Sequence, residues 1–141
     1  MVFTKKAALR QLIFILILFA LLIPAAIWDS NSQVKVRFDD SIVHVKSDRY
    51  TMNIQYSDIA AAELTSLAEA GYPVMNSFDN DIIRTGVWSN DAWGEYIIVV
   101  DLDADQCIKL ALHDGRTLVF SRKNDKATTQ DFETLQTYLN P

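Results

Sequence analysis

The chain has 141 residues, of which 50% are hydrophobic, and its 13 basic and 18 acidic residues give a formal net charge of −5 at pH 7. Nucleic acids and anionic lipid head groups both attract clustered Lys and Arg, so an acidic chain of this kind is expected to bind neither. Cys107 is the only cysteine, which excludes an internal disulfide.

The N-terminal segment contains an uncharged run between Arg10 and Asp29, and the core of that run is apolar. A helix over 11–28 would be about 27 Å long, close to the roughly 30 Å hydrocarbon core of a bilayer. The sequence therefore predicts a transmembrane helix over 11–28, through which the chain would contact the lipid bilayer.

The flanking segments determine the expected orientation. Residues 1–10 carry three basic side chains, and positive charge is retained on the cytoplasmic side. We therefore expect a single-pass protein of the cell membrane with its N-terminus inside, a polar tether over 29–32 and an extracytoplasmic domain over 33–141. The same basic start and apolar core also fit a signal peptide that is cleaved on export.

Most of 33–141 alternates between apolar and polar side chains, which is typical of half-buried strands. The predicted strands are 34–38, 42–45, 50–56, 82–88, 95–102, 107–112 and 117–120. Asp114-Gly115 predicts a hairpin between the last two strands. Residues 59–67 favour a helix by propensity although their neighbours suggest a strand. Residues 69–81 are rich in turn-forming residues and predict a loop with one short strand at most.

The end of the chain has a helical period. Phe132, Leu135 and Leu139 recur at spacings of three and four, which places them on one face of a helix. Thr128 is the predicted N-cap, with Asp131 three residues later. We expect this helix to close the open end of a barrel or sandwich.

This order of segments resembles the bacterial pleckstrin-homology-like (PH-like) domains. The segments that carry the likeness are Tyr56-Ser57-Asp58-Ile59, Arg84-Thr85-Gly86-Val87-Trp88, Ile108–Leu112 leading through Asp114-Gly115 into Thr117–Phe120, and Phe132 with Leu135. The likeness implies a mainly-β domain, a PH-like antiparallel barrel of about seven strands closed by a C-terminal α-helix, and it implies a strand over 59–67. Such barrels are mainly interaction scaffolds. Lipid-binding members use a basic loop, whereas here Asp48 interrupts Lys46 and Arg49, so phosphoinositide binding is not expected.

One acidic segment suggests a calcium loop. Asp101, Asp103 and Asp105 alternate as ligands in such loops do, but Gln106 stands where glycine is required and Leu112 stands where a bidentate Glu is expected. We interpret the segment as an acidic turn and predict no metal ligands and no cofactor.

Catalysis has only three candidate side chains, Cys107, His44 and His113. A Cys–His pair could supply a nucleophile and a base, but no orienting third group or recognisable motif accompanies it. The sequence therefore predicts a protein that is not an enzyme.

Two tryptophans flank a loop-like insert. We expect Trp88 to pack in the core and Trp93 to be a possible contact for a protein partner, since aromatic residues are enriched at interfaces. The resulting hypothesis is a membrane-anchored, non-enzymatic PH-like module that binds a protein. The alternative is an exported small-ligand binder or carrier released after signal-peptide cleavage.

Overall fold

The computed structural model describes residues 5–30 and 33–141, with side chains described for 5–19 and 33–141. The chain divides into two compact units, Met1–Ser32 and Gln33–Pro141. The described part of the first unit is one helix, α1 (Lys5–Ser30). Helix α1 includes the start of the predicted tether, while residues 31–32 lie outside the described residues.

Helix α1 corrects the prediction of a membrane span. Its first turns carry the charged residues Lys5, Lys6 and Arg10, and charged side chains are costly to place inside a bilayer. Neither described helix is long and apolar enough to cross a bilayer. This finding overturns the transmembrane helix predicted over 11–28, and with it the single-pass location in the cell membrane.

The second unit consists of strands followed by a helix. The strands are β1 (Lys35–Phe38), β2 (Ile42–Lys46), β3 (Thr51–Gln55), β4 (Ile59–Ser66), β5 (Tyr72–Asp79), β6 (Ile83–Asn90), β7 (Gly94–Asp101), β8 (Gln106–Leu112) and β9 (Thr117–Phe120), and the helix is α2 (Asp125–Leu139). A single turn of 3-10 helix, Tyr56–Asp58, separates β3 from β4. The hairpin predicted at Asp114-Gly115 is confirmed, since β8 and β9 pair antiparallel.

The strands form two separate sheets. The smaller sheet has the order β1-β2-β3, and the larger has the order β4-β8-β9-β7-β6-β5. Strand β9 lies between β8, to which it is antiparallel, and β7, to which it is parallel. Strands β4 and β5 are therefore opposite edges of an open sheet, and the predicted closed PH-like antiparallel barrel of about seven strands is wrong.

Two segments differ from what their composition suggests. Strand β4 pairs with β8 along its length, so the strand implied over 59–67 forms despite the helical propensity of its alanines, and Ala62 and Leu64 pack against the core. Strand β5 occupies most of 69–81, where a loop with one short strand at most was predicted. It is an irregular edge strand with two register shifts and a positive φ of 52° at Asn76, and an edge tolerates such residues.

Gly86 brings β5 close to β6. Its φ is +97°, and a Cβ added there would lie 2.2 Å from the carbonyl oxygen of Asn76. Only glycine accommodates both that conformation and that approach. The close approach of β5 to β6 at Asn76 therefore depends on Gly86.

Each face of the larger sheet contributes to its own core. The first core lies between the two sheets and beneath α2, and includes Val43, Val99, Ile108, Phe120 and Leu135. The second core lies on the other face, where the segment between β4 and β5 adds Leu67 and Ala70. Its buried members are Trp88, Tyr96, Ile98, Val100, Cys107 and Val119. The prediction that Trp88 packs in the core is confirmed, since it is 7% exposed.

Helix α2 begins earlier than predicted. Its N-cap is Asn124, whose Oδ1 accepts a hydrogen bond from the backbone N–H of Ala127 at 2.8 Å. Thr128, the predicted cap, is buried in the first turn and donates its hydroxyl proton to the Asn124 carbonyl at 2.9 Å. Near the C-terminal end, the Tyr138 ring stacks between Phe38 and Tyr56, with centroid distances of 5.9 and 4.7 Å.

Candidate interaction surface

The exposed large apolar side chains of 33–141 are concentrated on one edge of the larger sheet. Tyr72, Val74 and Met75 on β5 are 63%, 46% and 60% exposed, and Ile82 in the following turn is 50% exposed. We call these four residues the β5 patch. Monomeric domains rarely expose contiguous apolar surface without a function, so this concentration identifies a candidate interaction surface.

The strand register shows which face Tyr72 and Met75 occupy. Residues directly opposite one another in a sheet point to the same face. Met75 is opposite Val87, which is opposite Ile97, a side chain packed against the first core. Tyr72 is likewise opposite Ser89 on β6. Met75 therefore lies on the face of the larger sheet that carries the first core, and the smaller sheet covers another part of that same face.

The smaller sheet reaches β5 at one point only among the contacts described. The guanidinium carbon of Arg49, in the turn between β2 and β3, lies 3.9 Å from the centroid of the Phe78 ring. This contact half-buries Phe78 and leaves Tyr72 and Met75 exposed. Tyr72 and Met75 are thus exposed residues of the face that carries the first core.

The edge of β5 is unsuited to regular strand addition. Pro73 has no N–H to donate, and the register shifts between Pro73 and Met75 and between Met75 and Phe78. Ser77 donates its hydroxyl proton to the Val87 carbonyl at 2.6 Å, which ties the edge to β6. A partner would therefore meet the side chains of β5 rather than extend its backbone ladder.

Carboxylates border the patch at both ends. Asp81 directly precedes Ile82 in the turn, and Glu95 is opposite Ser89, in the same row as Tyr72. None of the ion pairs described within 33–141 involves these carboxylates. We call Asp81 and Glu95 the acidic rim.

Trp93, the residue predicted as a partner contact, lies elsewhere. Its ring is half-buried edge-on against Tyr96, with centroids 5.2 Å apart, and the Lys109 Nζ is 5.9 Å from its ring centroid. Tyr96 belongs to the second core, so Trp93 covers the face opposite to that of Met75. The structure does not bring Trp93 and Met75 onto one surface, and the role of Trp93 stays a prediction.

A second concave feature lies beside β4. A cleft of about 630 Å³ is bordered by the start of β4 and the C-terminal end of α2, including Tyr56, Ala61, Gln136 and Tyr138. The cleft is open to solvent, whereas small-molecule sites usually enclose most of their ligand. It therefore gives less support to a binder of small ligands than the β5 patch gives to a binder of proteins.

Cys107 lies in an environment that opposes nucleophilic catalysis. It is fully buried in the second core, and burial raises the pKa of its thiol to about 12. The reactive species of cysteine is the thiolate, which such an environment disfavours.

His44 belongs to a polar cluster on the smaller sheet. Its Nε2 lies 2.8 Å from Asp39 Oδ2, and its Nδ1 lies 2.6 Å from Asn53 Oδ1. Tyr56 donates its phenolic proton to the Asp39 carbonyl at 2.7 Å, and burial raises the pKa of Tyr56 to about 12. These hydrogen bonds hold the turn between β1 and β2 in place. The other histidine, His113, is exposed in the β8–β9 turn.

The acidic segment after β7 forms a turn. The Asp103 N–H donates to Asp101 Oδ1 at 3.0 Å, and burial raises the pKa of Asp101. Asp103 and Asp105 are exposed, and the Asp105 N–H donates to Asp125 Oδ1 at 2.9 Å. Across 5–30 and 33–141, no set of three or more potential ligands is arranged to hold a metal ion.

Comparison with known proteins adds no relative. No protein-family model, curated protein or solved structure matches the chain. The resemblance to PH-like domains therefore stays a prediction, and the function has to be inferred from the surface itself.

The β5 patch was not predicted, because the sequence of 69–81 indicated a loop with one short strand at most. Gly71, Pro73 and Asn76 dominate that segment by turn propensity. A signal was present nonetheless, because Tyr72 and Val74 alternate and Met75 follows at once, which is more apolar surface than a solvated loop usually carries. A loop would not have explained why these residues are apolar.

Proposed function

We propose that residues 33–141 form a non-enzymatic, protein-binding module that contacts its partner through the β5 patch. The observation that carries the proposal is the clustering of exposed apolar residues. Within 33–141, all the exposed large apolar side chains lie between Tyr72 and Ile82. Fully burying one such side chain stabilises a complex by about 1.5–3 kcal/mol. Several together can anchor an interface in the manner of a hot spot.

The condition of the candidate catalytic groups supports a role without catalysis. The Cys107 thiol is buried with a raised pKa, and both ring nitrogens of His44 lie within hydrogen-bonding distance of neighbouring oxygens. Each of these groups serves the packing or a turn of its own sheet. The β5 patch, in contrast, leaves about half or more of each of its side chains exposed.

Site-specific photo-crosslinking in the source cells tests the proposal. A photoreactive phenylalanine analogue replaces Met75 in the full chain, and the matched control places it at Thr51, an exposed residue of β3. We expect a discrete protein adduct from position 75 and none from position 51. Equal labelling at both positions, or no adduct at position 75, would contradict a protein-binding role for β5.

A further inference from the structure

We infer that the partner of the β5 patch presents an apolar surface bordered by lysine or arginine side chains. The inference rests on the proposed function and specifies the chemical class of the partner. It follows from the acidic rim, because an interface is selected by complementary charge around an apolar centre.

The balance of charge around the patch is negative. The acidic rim contributes two carboxylates, and Arg84, the cation of β6, is only 14% exposed and already pairs with Asp79 at 3.1 Å. Arg49 is the cation that contacts β5 among the described contacts, and its guanidinium stacks on Phe78, which is outside the patch. An approaching surface therefore meets more carboxylate than guanidinium.

This charge disfavours a second copy of the chain as the occupant. A symmetric contact would place each patch against its own duplicate, so the rim carboxylates of the two copies would face one another. Like charges brought together in this way oppose association. A basic border on the partner removes that repulsion and also accelerates the encounter at low salt.

The backbone of β5 limits how the partner binds. Pro73 and the two register shifts interrupt the edge, so the contact depends on the side chains of Tyr72, Val74 and Met75. The recognised surface therefore combines apolar groups at its centre with cations at its border. A long regular strand is not required of it.

Two synthetic peptides serve as probes. Both have the same centre of alternating valine and threonine; one carries two lysines at each end and the other two glutamates. Their affinities for the full chain are measured by fluorescence anisotropy at low and physiological salt. We expect the lysine-flanked peptide to bind at least about tenfold more tightly, as charge complementarity at a rim predicts.

Matched charge reversals locate the effect. Asp81→Lys with Glu95→Lys alters the rim, whereas Asp40→Lys with Glu133→Lys makes the same change of net charge at exposed positions on other elements. We expect the first pair to abolish the preference for the lysine-flanked peptide and the second to preserve it. Met75→Ser should weaken binding of the lysine-flanked peptide, because the centre of the contact is apolar.

Three results would overturn the inference: equal binding of the two peptides, no binding of either peptide, or loss of the preference in both charge-reversed proteins. The last would show attraction to the net charge of the chain rather than to the rim. A crosslink at position 75 together with equal peptide binding would reject the partner class and leave the protein-binding function standing. Absence of the crosslink would reject the function itself.

Discussion

The guanidinium of Arg49 stacks on the ring of Phe78, with its central carbon 3.9 Å from the ring centroid. Arg49 lies in the turn between two strands of the smaller sheet and Phe78 in the last part of β5. This contact therefore links the smaller sheet to the edge that carries the β5 patch. It holds one end of an irregular strand against the rest of the domain.

Replacing Arg49 by alanine should loosen that end of β5. A cation–π contact of this kind contributes about 0.5–2 kcal/mol. We expect the substitution to lower the free energy of unfolding by an amount within that range. Hydrogen exchange should accelerate at Phe78 and Asp79. Lys46→Ala removes another exposed cation of the smaller sheet and serves as the control; equal acceleration in both variants would mean that the stacking does not hold β5.

The variant Gly86→Ala should destabilise the domain more than Gly94→Ala. Both glycines have a positive φ, but a Cβ at position 86 would lie 2.2 Å from the Asn76 carbonyl oxygen, while at position 94 it would meet nothing within 4 Å. Residue 94 thus bears only the conformational cost of about 1–2 kcal/mol. Denaturant unfolding of the two variants measures the difference, and equal losses would show that β5 can move away from β6.

Leu135→Asp should destabilise the domain strongly. Leu135 is fully buried in the first core, and an aspartate there would place a carboxylate among apolar groups. We expect a loss of more than about 3 kcal/mol in the free energy of unfolding. Thr137→Asp changes an exposed residue of the same helix and should have little effect. A melting temperature unchanged by Leu135→Asp would mean that α2 does not close the first core.

Stability should decrease as the pH rises from about 4 to about 6. Burial raises the pKa of Asp131 from its ordinary 3.8 to about 6, although Arg122 Nη1 lies 3.5 Å from its Oδ1 and opposes the shift. In that interval the folded state binds more protons than the unfolded state, so raising the pH favours unfolding. The raised pKa of Asp101 acts in the same direction.

The variant Asp131→Asn tests the origin of this dependence. Thermal unfolding followed between pH 4 and pH 7 should show a smaller decrease than in the parent protein, with the remainder due to Asp101. Asp114→Asn is the control. Hydrogen bonds from Arg116 lower the pKa of exposed Asp114, so ionisation of this carboxyl favours the folded state, and it does so at a lower pH than the titration of Asp131. If the parent and Asp131→Asn show the same decrease, the Asp131 carboxyl is not the group that titrates.

Local patterns predicted the strands better than they predicted the partners of those strands. Alternation located β1–β3 and β6–β9, and Asp114-Gly115 located a hairpin, because each feature depends on neighbouring residues. The insertion of β9 between β7 and β8 has no local signature, since pairing is decided by residues distant in sequence. A barrel was therefore predicted where two sheets form.

The missed features have a common physical cause. Asn124 caps α2 in place of Thr128 because the helix begins at Asp125, before its apolar period becomes visible. Strand β5 forms from turn-rich residues because pairing with β6 outweighs their local preferences. The candidate interaction surface exists because β5 forms a strand, which the local sequence did not predict. Trp93 was the only contact for a partner that the sequence suggested.

The position of β9 also constrains the order in which the chain can fold. Strands β5, β6 and β7 pair with their sequence neighbours, but β4 pairs only with β8, and β8 meets β7 only through β9. The two parts of the larger sheet thus remain apart until the β8–β9 hairpin inserts between them. Since contacts between distant segments slow folding, insertion of this hairpin is the expected rate-limiting step.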